Sequence, residues 1–176
     1  MTRTVIAAIA GVLIAAAMHI AIVLLVPFFA TTDAWSKVAA LGADDVFHIL
    51  PAAGAIPGDA HLMSAACEFD LTDGPVRIRA ALPDTFWSVA LLDRRARNLY
   101  SLNDSSSEQS RLDLVVVTPA QAAAFAANPP PSSQAAIIAE LPLDAAIAVI
   151  RVFVADAASA ASVTAALTGA DCNAPL

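Results

Sequence analysis

The chain has 176 residues, 59% of them apolar, with a mean hydropathy of +0.71 and a formal charge of −7. That apolar share exceeds the roughly 45–50% of soluble globular domains, and the length leaves room for one domain and a short appendage. All 16 acidic residues lie at or after Asp33, and of the nine basic ones only Arg3 precedes it, so the body of the chain repels nucleic-acid phosphates and anionic lipid headgroups alike.

Residues 5–30 carry no formal charge, and His19 is the one polar side chain among them. About 20 apolar residues of helix cross a bilayer core, so this run spans with some tilt. A cleaved signal peptide is the competing reading. Three features favour an uncleaved anchor. The run is longer than the roughly 7–15-residue apolar region of a signal. Pro27-Phe28-Phe29-Ala30 lacks a small–x–small cleavage pattern, and Phe28, Phe29 and Trp35 suit an interfacial belt. The expected organisation is an anchor over residues 1–32 and a domain over residues 33–176. Arg3 before the span, with Asp33 ahead of Lys37 after it, puts the N-terminus in the cytoplasm and the domain outside. His19 reads as a tolerated neutral imidazole rather than a proton relay. Gly11 with Ala7, Ala8, Ala15 and Ala16 offers small residues for helix packing, but no G-x-x-x-G.

Beyond the span, residues 31–41 continue the helix by the spacing of Trp35, Val38, Ala39 and Leu41, and Gly42 stops it. Residues 46–50 form a short strand ended by Pro51, and residues 52–59 a loop containing Pro57-Gly58. A strand over residues 63–71 ends in the turn Thr72-Asp73-Gly74-Pro75. Val76, Ile78, Ala80 and Leu82 alternate with Arg77, Arg79 and Ala81, the pattern of a half-buried strand. Further strands over residues 86–92 and 99–102 flank the charged hairpin loop 93–98, and residues 112–117 form an apolar strand after the polar loop 105–110. Pro119 opens a short alanine-rich helix over residues 120–127. The proline-rich linker 128–133 then leads to strands over residues 136–141 and 145–154 and a last helix over residues 157–167. The fold class is therefore α+β: a transmembrane helix, then an antiparallel β-sandwich-like domain with two short helices.

Cys67 and Cys172 are the two cysteines, both in the outer domain, and read as a disulfide in an oxidising compartment. The bridge would close a long loop, worth on the order of 4–5 kcal/mol in the chain-entropy model. Two buried thiols are the alternative.

The block Leu82-Pro83-Asp84-Thr85-Phe86-Trp87-Ser88-Val89-Ala90-Leu91-Leu92-Asp93, continued by Arg94-Arg95-Ala96-Arg97-Asn98-Leu99-Tyr100-Ser101-Leu102-Asn103-Asp104, resembles a bacterial family, domain of unknown function 1254, in its short membrane-anchored form. Residues 115–121 and 149–154 fit the same pattern. The resemblance implies a membrane or envelope protein with a β-sandwich core, encoded beside a companion of a related family. It brings no catalytic residues. Larger relatives have a fuller architecture than this chain.

The polar constellations point away from catalysis. His48, Asp59, His61 and Glu68 match no standard zinc spacing. No G-x-S-x-G is present, and Ser88 lies within a strand. The six glycines are scattered singly, which leaves no phosphate loop. No metal or cofactor is expected. Arg151 stands in a strand apolar on both faces and is expected in a core ion pair with Asp93, Asp104 or Asp113, since an unpaired buried charge is costly; an anion-binding role is the alternative. Arg94, Arg95 and Arg97 form a basic loop in an acidic domain, either a solvated turn or a contact for an acidic partner. Trp87 and Tyr100 read as core aromatics. The leading expectation is a non-enzymatic, partner-binding or structural envelope protein of the bacterial inner membrane, held in the bilayer by residues 5–30, with its domain in the periplasm and a companion membrane or envelope protein as partner. The alternatives are a small-molecule or lipid-binding β-sandwich, with a pocket between its sheets, and an unrecognised enzyme.

Overall fold

The computed structural model describes residues 2–29, 34–51, 61–106, 111–173 and 175–176. The chain divides into an N-terminal helix and a body running from Ala34 to Leu176. Helix α1 (Thr2–Phe29) has 28 residues, roughly 42 Å at 1.5 Å per residue and so longer than a bilayer core of about 30 Å. Its described side chains, residues 2–26, are all exposed, and it is long and apolar enough to cross a membrane.

The body begins with α2 (Ala34–Ala39), within the helix expected over residues 31–41; residues 31–33 of that expectation lie outside the described residues. The chain turns at Gly42, whose φ of +68° favours glycine. Eight strands follow among the described residues: β1 (His48–Ile49), β2 (Leu62–Asp70), β3 (Val76–Ala81), β4 (Trp87–Leu92), β5 (Asn98–Asn103), β6 (Arg111–Val117), β7 (Ile137–Glu140) and β8 (Ala145–Phe153). The loop expected over residues 52–59 lies outside the described residues, as do residues 107–110 of the loop expected before β6. The strands make a five-stranded sheet in the order β1-β2-β8-β4-β5 and a three-stranded sheet in the order β3-β6-β7. Pairing is antiparallel except between β6 and β7, which run parallel. Helix α3 (Pro119–Ala127) lies between those two strands in the sequence, and a parallel pair needs a crossover of this kind. The fold is α+β, as expected.

Both sheets feed one core. Ala65, Cys67 and Phe69 of β2, Trp87, Val89 and Leu91 of β4, and Ile150 and Val152 of β8 meet Ile78 of β3 and Leu114 and Val116 of β6. Helix α4 (Ala157–Thr168) adds Val163 and Leu167 to this core. Asp156 starts α4 by accepting a hydrogen bond from the Ser159 N–H, half of a capping box. Thr118 and Gln121 do the same for α3, which buries Phe125 against Val115 and Val117 on the far face of the smaller sheet. On the far face of the larger sheet, Val38 of α2 and Ala43 pack over Ala66, Ile147 and Val149.

Cys67, in the middle of β2, is bonded to Cys172, just after α4; the two Cα atoms are 6.4 Å apart and both residues are fully buried. Beside this bridge Asp171 forms antiparallel β-bridges with Val46 and with Arg79. The tail thus ties the β1 side of one sheet to the β3 edge of the other.

Arg151 departs from expectation. It is exposed, and among the described residues it makes no core ion pair. Residues 147, 149, 151 and 153 share one face of β8, and the cover from α2 and Ala43 ends after Val149. The buried pair belongs instead to Arg77, only 3% exposed, whose Nε and Nη2 each donate a 2.8 Å bond to Asp113.

Candidate functional site

Where the cover over the larger sheet ends, a mixed polar and aromatic surface opens. Arg151 stands in register between Ser64 of β2 and Ser88 of β4, and Asn103 of β5 lies beyond Ser88. One step along β8 on the same face, Phe153 pairs with Leu62, and its N–H donates to the Phe86 carbonyl at 2.9 Å. Phe86 is 49% exposed and Phe153 37% exposed. The His61 ring lies 6.0 Å from the Phe153 ring. An arginine flanked by hydroxyls and bordered by two exposed phenylalanines has the composition of a protein-recognition surface.

The basic loop forms at the other end of the same strands. Asp93 builds it: Oδ1 accepts from the Arg95 and Arg97 N–H groups at 2.9 Å each, and Oδ2 accepts from Arg97 Nε at 2.6 Å. Burial pushes the Asp93 carboxyl up, but the hydrogen bonds from Arg97 and Arg95 outweigh it and hold the group below the usual carboxylate range. Arg94 lies with its guanidinium carbon 4.6 Å from the Trp35 ring centroid, a cation–π contact with α2. Of the three arginines, Arg97 is therefore spent on the loop and Arg94 on Trp35, while Arg95 projects as an exposed side chain. The structure does not bring this loop and Arg151 together. Leu92 at the loop and Ser88 beside Arg151 are four residues apart on β4, roughly 13 Å.

Below the loop lies a group of acids. Burial raises the pKa of Asp45, and the charges of Asp44 and Asp70 add to it. Burial also raises Glu68, with Asp44 adding and Arg94 partly opposing. The remaining sequence candidates are dispersed. His48 pairs with Ala66 while His61 precedes β2, five residues away along that strand or roughly 16 Å. Among the described residues no three His, Cys, Asp or Glu side chains gather as a metal site, and Asp59 lies outside them. Sequence reasoning missed two features. Asp113, an acid among the apolar residues Leu112 and Leu114–Val117 of β6, is the signal for the Arg77 pair. The Ser64–Arg151–Ser88 row has no sequence signal, because strand order alone creates it.

The body is thus an α+β domain of two sheets, closed on one side by its disulfide-bonded tail and open on part of its larger sheet. The chain belongs to the family described as "Protein of unknown function (DUF1254)", whose model matches residues 57–173. Two solved structures share the fold. One is an uncharacterised protein from Burkholderia cenocepacia, 16% identical, with a TM-score of 0.50 over 67% of this chain and 34% of its own. The other, from Vibrio parahaemolyticus, is 8% identical, with a TM-score of 0.58 over 79% of this chain and 32% of its own. The chain spans about a third of the length of these structures. No curated protein matches it.

Proposed function

We propose that this chain is a membrane-anchored envelope protein that catalyses no reaction and whose body binds a partner protein through the open face around Arg151. The observation that carries the reading is the exposure of Phe86 and Phe153 beside Arg151, where the cover that buries Ile147 and Val149 has ended. Arginine and large aromatics supply most of the energy at protein interfaces, and a desolvated guanidinium there selects a carboxylate on the partner. The companion implied by the family likeness is the natural candidate. Photo-crosslinkers at Ser88 and Phe153, installed in the full chain in its own membranes, should capture one recurrent partner, with capture reduced by Arg151→Glu. Recovery of this chain alone from solubilised membranes would overturn the reading.

The anchor is helix α1, and the body faces the periplasm. Arg3 on the cytoplasmic side of the span and a fully buried disulfide, which needs an oxidising compartment to form, support this placement. A phosphatase that is active only when exported, fused after Leu176, should be active. Activity only from a cytoplasmic reporter would reverse the orientation.

A further inference from the structure

Helix α4 presents Ser162, Ala165, Ala166 and Gly169 toward the end of β3, and these small side chains leave a groove of about 420 Å³ against Leu82 and Pro83. A second cleft of about 720 Å³ adjoins it on the outer side of β3 and β6, and Ala81 and Gly169 line both. Both volumes fall in the range of small-molecule sites, about 300–1,000 Å³. The two halves differ in chemistry. The groove is mostly apolar, whereas the wall of the second cleft carries Arg79 and Arg111. In the β3–β6 register Arg79 faces Asp113, and Arg111 is its diagonal neighbour, roughly 7–8 Å away.

The cleft also contains two acids, Asp113 in an ion pair with Arg77 and Asp171 with its side chain hydrogen-bonded, among the described residues, only to backbone within the tail. Both oxygens of Asp113 accept from Arg77, and Asp171 Oδ1 accepts from the Asn173 N–H. Arg79 is exposed, and among the described residues its guanidinium has no ion-pair partner. Its backbone is fixed by two bonds with Asp171, of 2.9 and 2.8 Å, so its position on the cleft wall is set. A cation on the wall of a cleft that adjoins a mostly apolar groove matches a ligand with an anionic head and a hydrocarbon tail.

We propose that this cleft binds an anionic amphiphile, a fatty acid or an alkyl phosphate, with its head on Arg79 and its chain along Leu82, Pro83, Ala165 and Ala166. The site is separate from the Arg151 face, so it stands or falls independently of partner binding. The test uses the full chain in phosphatidylcholine nanodiscs, with alanine-methyl NMR reporting Ala165 and Ala166 and empty nanodiscs subtracting partition into lipid. The probes are octanoate, octyl phosphate, octanol, acetate and inorganic phosphate. Saturable shifts with octanoate or octyl phosphate, at least about tenfold tighter than with octanol, acetate or phosphate, are expected, and the tighter of the two names the head. Arg79→Gln should weaken that ligand about tenfold, the loss of one charge-assisted contact, while leaving octanol unchanged. Ala81→Leu, at an exposed position shared by both clefts, should block the groove without touching the cation. Octanol binding as tightly as octanoate, acetate or phosphate binding as tightly as the octyl anions, or an unchanged affinity in a folded Arg79→Gln chain would each overturn the proposal.

Discussion

Arg77 and Asp113 are not directly opposed in the β3–β6 ladder; they meet on the diagonal. Val115 faces Arg77 and Asp113 faces Arg79, yet Asp113 accepts both of its side-chain bonds from Arg77. The Arg77 side chain is also the more deeply buried, 4% exposed against 25% for Asp113, and its Nη1 donates to the Pro175 carbonyl at 3.0 Å. The pair therefore ties the outer face of the smaller sheet to the C-terminal tail.

Removing the carboxylate should cost more than removing both charges. Asp113→Asn removes the carboxylate that accepts two bonds from a buried guanidinium, worth about 3 kcal/mol, the low end for a buried pair because Asp113 keeps some solvent. Arg77→Met combined with Asp113→Leu should lose less than the sum of the single changes. A double-mutant cycle by urea unfolding measures the coupling, and additive losses would show that the two side chains act independently.

Ala96 closes the arginine loop with φ +59°, a left-handed conformation that strains any residue with a Cβ. Its N–H donates to the Asp93 carbonyl at 2.9 Å, so the turn is held in place. Ala96→Gly should stabilise the body by about 1 kcal/mol, the strain released less the extra chain freedom of glycine when unfolded. An unchanged or lower unfolding midpoint would mean that the loop relaxes its backbone elsewhere.

Much of the fold is legible in the sequence, because its cues are local. Val76, Ile78 and Ala80 alternate as a strand with one buried face should, Pro119 after Thr118 opens α3 as expected, and the two cysteines do form the bridge. Sheet order and the parallel β6–β7 pair are not legible, since they depend on which distant strands meet. The arginines show the same limit. Arg77 and Arg151 both sit among apolar residues in sequence, and only the extent of the cover over each face decides which is buried. Nothing in the order of residues shows that α2 stops short of Arg151.

Two carboxylates should give opposite pH signatures. Asp93 titrates below its unfolded value of about 3.9, so its contribution is present above that pH and is lost as pH falls through the folded pKa. Glu68 titrates above its unfolded value of about 4.3, so the folded state takes up this proton first and gains stability as pH falls through the folded pKa. Asp45 acts in the same sense as Glu68. Glu68→Gln should therefore stabilise the chain at pH 7, with the gain disappearing below about pH 4. Asp93→Asn should destabilise it at pH 7, with the loss shrinking in acid. Unfolding midpoints from pH 7 to 3 separate the two, and parallel curves for both variants would contradict the assignments.

The disulfide sits where the two sheets are joined. Cys172 follows Asp171, and Asp171 bridges Val46 on one side and Arg79 on the other. Replacing both cysteines by alanine frees the tail and enlarges the unfolded ensemble, for a loss of about 2–5 kcal/mol. The loss should also have an address. The Arg79 and Asp171 N–H groups, each bonded to the carbonyl of the other, should exchange hydrogen faster in the variant. The amides of β8, paired on both sides in the middle of the larger sheet, should lose protection only by as much as global stability falls. Pro175 lies on the same tail, so Arg77 should lose the bond to its carbonyl at the same time. Native-state hydrogen exchange distinguishes the outcomes: selective opening at Arg79 and Asp171 means that the bridge clamps the tail, whereas uniform loss across both sheets means that it acts only through the unfolded chain.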